Sequence, residues 1–73
     1  MGDFGKRFKQ CRLEAGMKQT AAARATGIGQ STISQYERDE REPTVSQLIK
    51  MADAYHVSMD YLLGLSDVND WGE

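Results

Sequence analysis

The feature that most constrains this chain is a glycine-bearing break inside an otherwise helical stretch. Gln19–Thr26 is alanine-rich and intrinsically helical, Thr26-Gly27-Ile28-Gly29 interrupts it, and residues 30–38 are helical again. Gly27 stands where the turn needs a left-handed backbone, which glycine adopts freely because it lacks a Cβ. Ala22, Ala23 and Thr26 share one face of the first helix, and Ala23 is small enough to let two helices cross closely. Helix, tight turn and helix over residues 19–38 form the frame into which the rest must fit.

The flanking segments are helical too. Asp3 is placed to cap a helix from Phe4 to about Glu14, with Gly16 as its stop. Phe4, Phe8, Cys11 and Ala15 make one apolar stripe on it, while Lys6, Lys9 and Gln10 face away. A polar loop, residues 39–43, ends in Pro43. Thr44 with Gln47 predicts a capping box that opens a fourth helix carrying Val45, Leu48, Ala52 and Tyr55 at helical spacing. Ser58 caps a fifth helix, with Val57 stapled onto Leu62 and Gly64 as its end. No stretch alternates as a strand does, and nothing repeats. The expectation is an all-α, five-helix domain over residues 1–64, then an acidic tail or linker over residues 65–73 containing Trp71.

Seventy-three residues allow one domain, against roughly 100–200 for a typical one. Hydrophobic residues at 40% and charged ones at 27% suit a folded chain rather than a disordered one. No apolar run approaches the roughly 18 residues that span a bilayer. The N-terminal residues lack a secretory pattern, and Lys6 breaks the myristoylation pattern. One cysteine excludes an internal disulfide, and one Cys with one His cannot build a structural zinc site. The chain therefore reads as a small cytoplasmic domain with no metal, no cofactor, no membrane segment and no evident small-molecule ligand.

Net charge is −2, but its distribution is uneven. Residues 1–38 hold seven basic groups against three acidic ones, a net of +4; residues 39–73 hold two against eight, a net of −6. Such asymmetry suggests a cationic working half. On a helical wheel Gln30, Ser31, Ser34, Gln35 and Arg38 fall within an arc of about 140°. Thr32, Ile33, Tyr36 and Glu37 take the opposite side. A merely solvated helix face usually carries Lys and Glu. Gln and Ser are short, neutral and able both to donate and to accept, which suits them to reading base edges.

At this point the chain resembles the Cro and lambdoid-repressor type of helix-turn-helix regulator. Gln19, Ala23, Gly27, Ile33 and Glu37 stand at that family's spacing, with Phe4-Gly5-Lys6-Arg7-Phe8-Lys9 and Arg12 before them. Pro43 and the run from Val57 to Gly64 follow, so the resemblance covers residues 4–64. It implies a lambda-repressor-like fold and a sequence-specific, double-stranded DNA-binding transcriptional regulator, a repressor rather than an enzyme. It implies a homodimer on a pseudo-palindromic operator, and the acidic groups at the far end of the domain would make that dimer weak. Helix 30–38 would lie in the major groove, with Gln30, Ser31, Ser34 and Gln35 contacting bases. Gln19, Lys18, Thr32, Arg38 and Arg41 would contact the DNA backbone, and Arg12 and Glu37 would form a buried structural ion pair. Dimer contacts would fall on the start of the fourth helix, on Met59 and Tyr61, and on Leu65, Val68 and Trp71.

The chain departs from the family pattern in places. Lys18 replaces the usual capping Ser or Thr, Gly29 replaces a frequent Ser or Thr, and Glu40 and Glu42 flank Arg41. Cys11 and His56 could be imagined as nucleophile and base, but Cys11 sits on the core stripe. The glycines fit neither a P-loop nor a dinucleotide fingerprint. Trp71 has two readings, folded back on the domain or in contact with a partner, and the sequence leaves both open. A different class of function is also open: a protein-interaction module, such as an antitoxin or repressor partner, working through the acidic half.

Overall fold

The computed structural model describes residues 4–71. They form α1 (Phe4–Glu14), α2 (Gln19–Thr26), α3 (Gln30–Glu37), α4 (Val45–Tyr55) and α5 (Met59–Leu62), with no strand among the described residues. The all-α expectation holds. α1 packs against α3, α4 and α5, and α2 packs against α3 and α4. Between them lies one core built on Phe8, Cys11, Ala22, Ile33, Tyr36, Met51 and Leu62.

The stripe on α1 is as expected: Phe8 and Cys11 are buried, with Phe4 and Ala15 packed on the core's edge. Asp3, the expected cap, lies outside the described residues. The Gly5 N–H donates instead to Asp39 Oδ1 at 3.0 Å, so the loop after α3 caps α1 from across the fold. Gly5 also lies directly beneath the end of α3. A Cβ at Gly5 would sit 2.4 Å from the Glu37 carbonyl oxygen, so this close crossing requires glycine.

In the central turn Gly27 takes φ 74° and its N–H returns to the Ala23 carbonyl. The buried Thr26 hydroxyl donates to the Ala22 carbonyl at 2.7 Å and accepts from the Ile28 N–H at 3.1 Å. That one hydroxyl ties the end of α2 to the turn and seats Ile28 in the core. Lys18 and Gly29 begin α2 and α3 without a side-chain cap, as their chemistry dictates. α3 stops at Glu37, with Arg38 its C-cap residue rather than its last turn.

On α4 two expectations are corrected. Thr44 Oγ1 accepts from the Gln47 N–H at 3.2 Å, but only this half of the capping box forms. The Gln47 side-chain oxygen accepts instead from the hydroxyl of the buried Tyr36, the kind of acceptor a tyrosine withdrawn from water usually finds. Val45 is not part of the buried stripe, being 69% exposed. At ~100° per residue it falls about 70° off the centre of the face that Leu48, Met51, Ala52 and Tyr55 bury.

α5 begins as expected, with Ser58 Oγ accepting from the Tyr61 N–H at 3.1 Å and with Val57 and Leu62 both buried. Beyond it the chain turns back. Arg7 donates to the carbonyls of Tyr61 and Ser66 at 2.7 and 3.0 Å and to Asp67 Oδ1 at 3.0 Å. Asn69 accepts from the Ser58 N–H at 2.9 Å and donates to the His56 carbonyl at 3.0 Å. Trp71 stacks on His56, ring centroids 4.6 Å apart, so the tryptophan folds back on the domain. Tyr61, expected on an outer surface, is buried, because its hydroxyl accepts from Gln10 and donates to Glu14 of α1.

Candidate nucleic-acid interface

α3 separates its two faces as the helical wheel requires. Ile33 and Tyr36 are buried, Gln30 and Ser31 are exposed, and Thr32, Ser34 and Gln35 are half-buried. The first turn of α3 therefore presents Gln30 and Ser31 outward. Its inner face is locked by an apolar anchor at Ile33 and by the Tyr36–Gln47 hydrogen bond.

Its end is locked by charge. Arg12 Nε and Nη2 donate to the two carboxylate oxygens of Glu37 at 2.7 and 3.1 Å, a two-pronged pairing that fixes orientation as well as distance. Only 7% of the arginine side chain and 4% of the glutamate side chain reach solvent. Arg12 Nη1 donates to the Met17 carbonyl at 2.8 Å, and Gln19 Nε2 donates to Glu37 Oε1 at 3.1 Å. The hydrogen bonds it donates to Glu37 raise the pKa of Arg12 above its already high value. One carboxylate thus joins α1, the start of α2 and the end of α3. Gln19, expected at a phosphate, has one amide hydrogen committed to this centre.

The basic candidates differ in how free they are. Lys18 is exposed on extended backbone ahead of α2. Arg41 is exposed, with no hydrogen-bond or ion-pair partner among the described residues. Arg38 is engaged: Nε and Nη2 meet Glu40 at 3.0 and 2.9 Å, and Nη1 donates to the Ser34 hydroxyl. In the chain Glu40 stands next to Arg41. The fold turns it to Arg38, because Asp39 adopts φ 58° and reverses the backbone.

The imagined dyad does not come together chemically. Cys11 is fully buried and its thiol is pushed up to about 11, chiefly by burial, which keeps it a thiol and a poor nucleophile. His56 lies exposed against Trp71. No group of three or more His, Cys, Asp or Glu side chains among the described residues could hold a metal ion. No helix among them is long and apolar enough to cross a membrane.

Two helices set across a left-handed glycine, with a polar outer face on the second, define a helix-turn-helix protein. Residues 8–62 match the Helix-turn-helix family, and the chain belongs to it, in the Cro and lambdoid-repressor type. It is 45% identical over 70 residues to the HTH-type transcriptional regulator ImmR of Bacillus subtilis, covering 96% of this chain and 55% of that protein. Its fold is similar to that of the P22 c2 repressor solved in complex with a synthetic operator. There the TM-score is 0.77 and the identity 33%, covering 86% of this chain and 96% of that one. It is also similar to the restriction-modification controller protein C.AhdI of Aeromonas hydrophila, with a TM-score of 0.79 and 27% identity over 82% of this chain and 91% of that one. The chain spans little more than half the length of the Bacillus subtilis regulators it matches, 55% of one and 60% of another.

Proposed function

We propose that this chain is a sequence-specific, double-stranded DNA-binding transcriptional regulator, acting as a repressor and not as an enzyme, in the cytoplasm. The observation that carries the reading is the clamped orientation of α3. A buried charge centre, Arg12–Glu37–Gln19, holds a helix whose outward residues are Gln and Ser. Such a helix is rigid where a reader must be rigid and polar where base edges must be met.

In this reading α3 enters the major groove, with Gln30, Ser31, Ser34 and Gln35 toward the bases. Lys18, Gln19, Thr32, Arg38 and Arg41 meet the backbone. Residues 1–64 are the binding domain, and residues 65–73 are a tail or linker that is fastened to it as far as Trp71. One recognition helix covers few base pairs, so two copies act together on a pseudo-palindromic site, their α3 helices ~34–36 Å apart. The surfaces for that second copy are the exposed Val45 and Ile49 of α4, with Met59, Leu65, Val68 and the outer face of Trp71. Tyr61 is withdrawn from this set by its burial. The acidic groups nearby make the dimer weak in the absence of DNA.

Selection from a random duplex pool tests the reading. A consensus with two related half-sites is expected, and Gln30→Ala should relax the preference at one or two base pairs while leaving non-specific binding intact. Sedimentation with a two-half-site duplex should reach two chains per duplex. No consensus, with no loss of affinity as salt rises, would overturn the reading in favour of a protein-interaction module.

A further inference from the structure

Arg38 stands at the end of α3 on its outward side, yet its guanidinium is occupied by its own chain. Nε and Nη2 bind the two oxygens of Glu40, and Nη1 donates to Ser34, itself a candidate base contact. The arrangement is built rather than casual. Asp39 takes a left-handed backbone, its carboxylate is tied to the Gly5 N–H, and the Glu40 N–H donates to the Gln35 carbonyl at 2.9 Å. Glu40 is therefore anchored to α3 itself. Their mutual hydrogen bonds hold the Glu40 carboxyl below its ordinary value and raise Arg38. Glu42 has the same charge two residues on, with no hydrogen-bond or ion-pair partner among the described residues.

Building on the DNA-binding reading above, we propose that Glu40 is an internal rival of DNA phosphate, withholding Arg38 and so suppressing binding to non-specific duplex. The carboxylate presents to the guanidinium the same forked acceptor geometry that a phosphate does. Non-specific binding comes from cations that displace counterions, and an arginine already neutralised by its own chain displaces none. A correct site adds base contacts along α3 and draws Arg38 across to phosphate. Glu40 is then a specificity-determining residue that touches no base.

The test compares the unmodified chain with Glu40→Gln, Glu42→Gln, Arg38→Gln and the Arg38→Gln/Glu40→Gln double variant. Affinity for a random-sequence duplex and for the selected site is measured across a salt series. Glu40→Gln should raise random-duplex affinity about two- to fivefold, the strength of an exposed pair. It should steepen the slope of log affinity against log salt by about 0.9, one more phosphate neutralised. Selected-site affinity should rise less, so discrimination falls. Glu42→Gln should raise affinity less and leave the slope unchanged, and in the Arg38→Gln background Glu40→Gln should do no more than Glu42→Gln. Equal slopes for Glu40→Gln and Glu42→Gln, or an equal gain without Arg38, would overturn the rivalry while leaving DNA binding intact. An unmodified chain that binds no duplex would overturn the DNA-binding reading itself, and the rivalry with it.

Discussion

Arg7 and Arg12 sit little more than a turn apart on α1, and each fastens another part of the chain to it. Arg12 meets a carboxylate that is as buried as itself, with side-chain exposures of 7% and 4%. Arg7 meets Asp67, whose side chain is 96% exposed, and donates from Nη1 to two backbone carbonyls while lying 4.6 Å above the Tyr61 ring. The first arrangement orients the candidate reading helix; the second tethers the tail. Both contain an ion pair, but only the buried one leaves a charge stranded when a partner is lost. Burial, rather than the presence of opposite charges, decides what each pair contributes.

The largest effect expected from breaking this comparison is at Arg12. Arg12→Ala strands the Glu37 carboxylate and should cost about 3–5 kcal/mol of stability in urea unfolding. Replacing both partners with apolar residues of similar volume should recover part of that loss. A midpoint for Arg12→Ala equal to that of the unmodified chain would contradict the burial argument.

Next is Gly5→Ala, which probes the close crossing of α1 with the end of α3, the helix that carries Glu37. Its new Cβ would meet the Glu37 carbonyl oxygen, a backbone atom that cannot swing aside. The helices must part, at about 2–3 kcal/mol for an overpacked contact. Thermal unfolding measures it, and selected-duplex affinity should fall in parallel because the end of α3 moves.

Smaller still is the tether. Arg7→Ala should cost about 1–2 kcal/mol, the loss of hydrogen bonds to half-buried carbonyls. Asp67→Asn should cost less than about 0.5 kcal/mol, since its charge is bathed in water. Trp71 fluorescence should respond to Arg7→Ala as the tail loosens from His56. A larger effect at Asp67 than at Arg7 would reverse this assignment.

The smallest effect at neutral pH is at Tyr55, whose buried hydroxyl has no hydrogen-bond partner among the described residues. Tyr55→Phe should leave stability within about 0.5 kcal/mol. At high pH it should matter more. Burial, with the Glu37 charge second, pushes the Tyr55 pKa from 10.0 up to about 12. The unfolded chain therefore releases this proton first, and the contribution is complete below pH 10 and lost as pH rises from 10 through about 12. Tyr55→Phe should lose less stability over that window than the unmodified chain. Parallel curves for the two would show that the hydroxyl is not buried.

Much of the fold was legible because its causes are local. Helix propensity in Gln19–Thr26, the left-handed Gly27, the Ser58 cap and the Phe8–Cys11 stripe act within a few residues, and each lies where the sequence places it. The polar arc of α3 follows from a 3.6-residue period alone. The Arg12–Glu37 pair was legible only through family resemblance, since nothing local joins residues in different helices. Tertiary structure alone decided three further contacts, each by bringing groups from different elements within hydrogen-bond reach. Asp39 caps α1 across the fold, Gln47 abandons its capping box for Tyr36, and Arg7 gathers carbonyls from beyond α5. Glu40 turns from the Arg41 beside it to Arg38 because a single left-handed residue reverses the chain. A polar group's identity states what it can bond; which partner it takes depends on which one the packed core leaves nearest and driest.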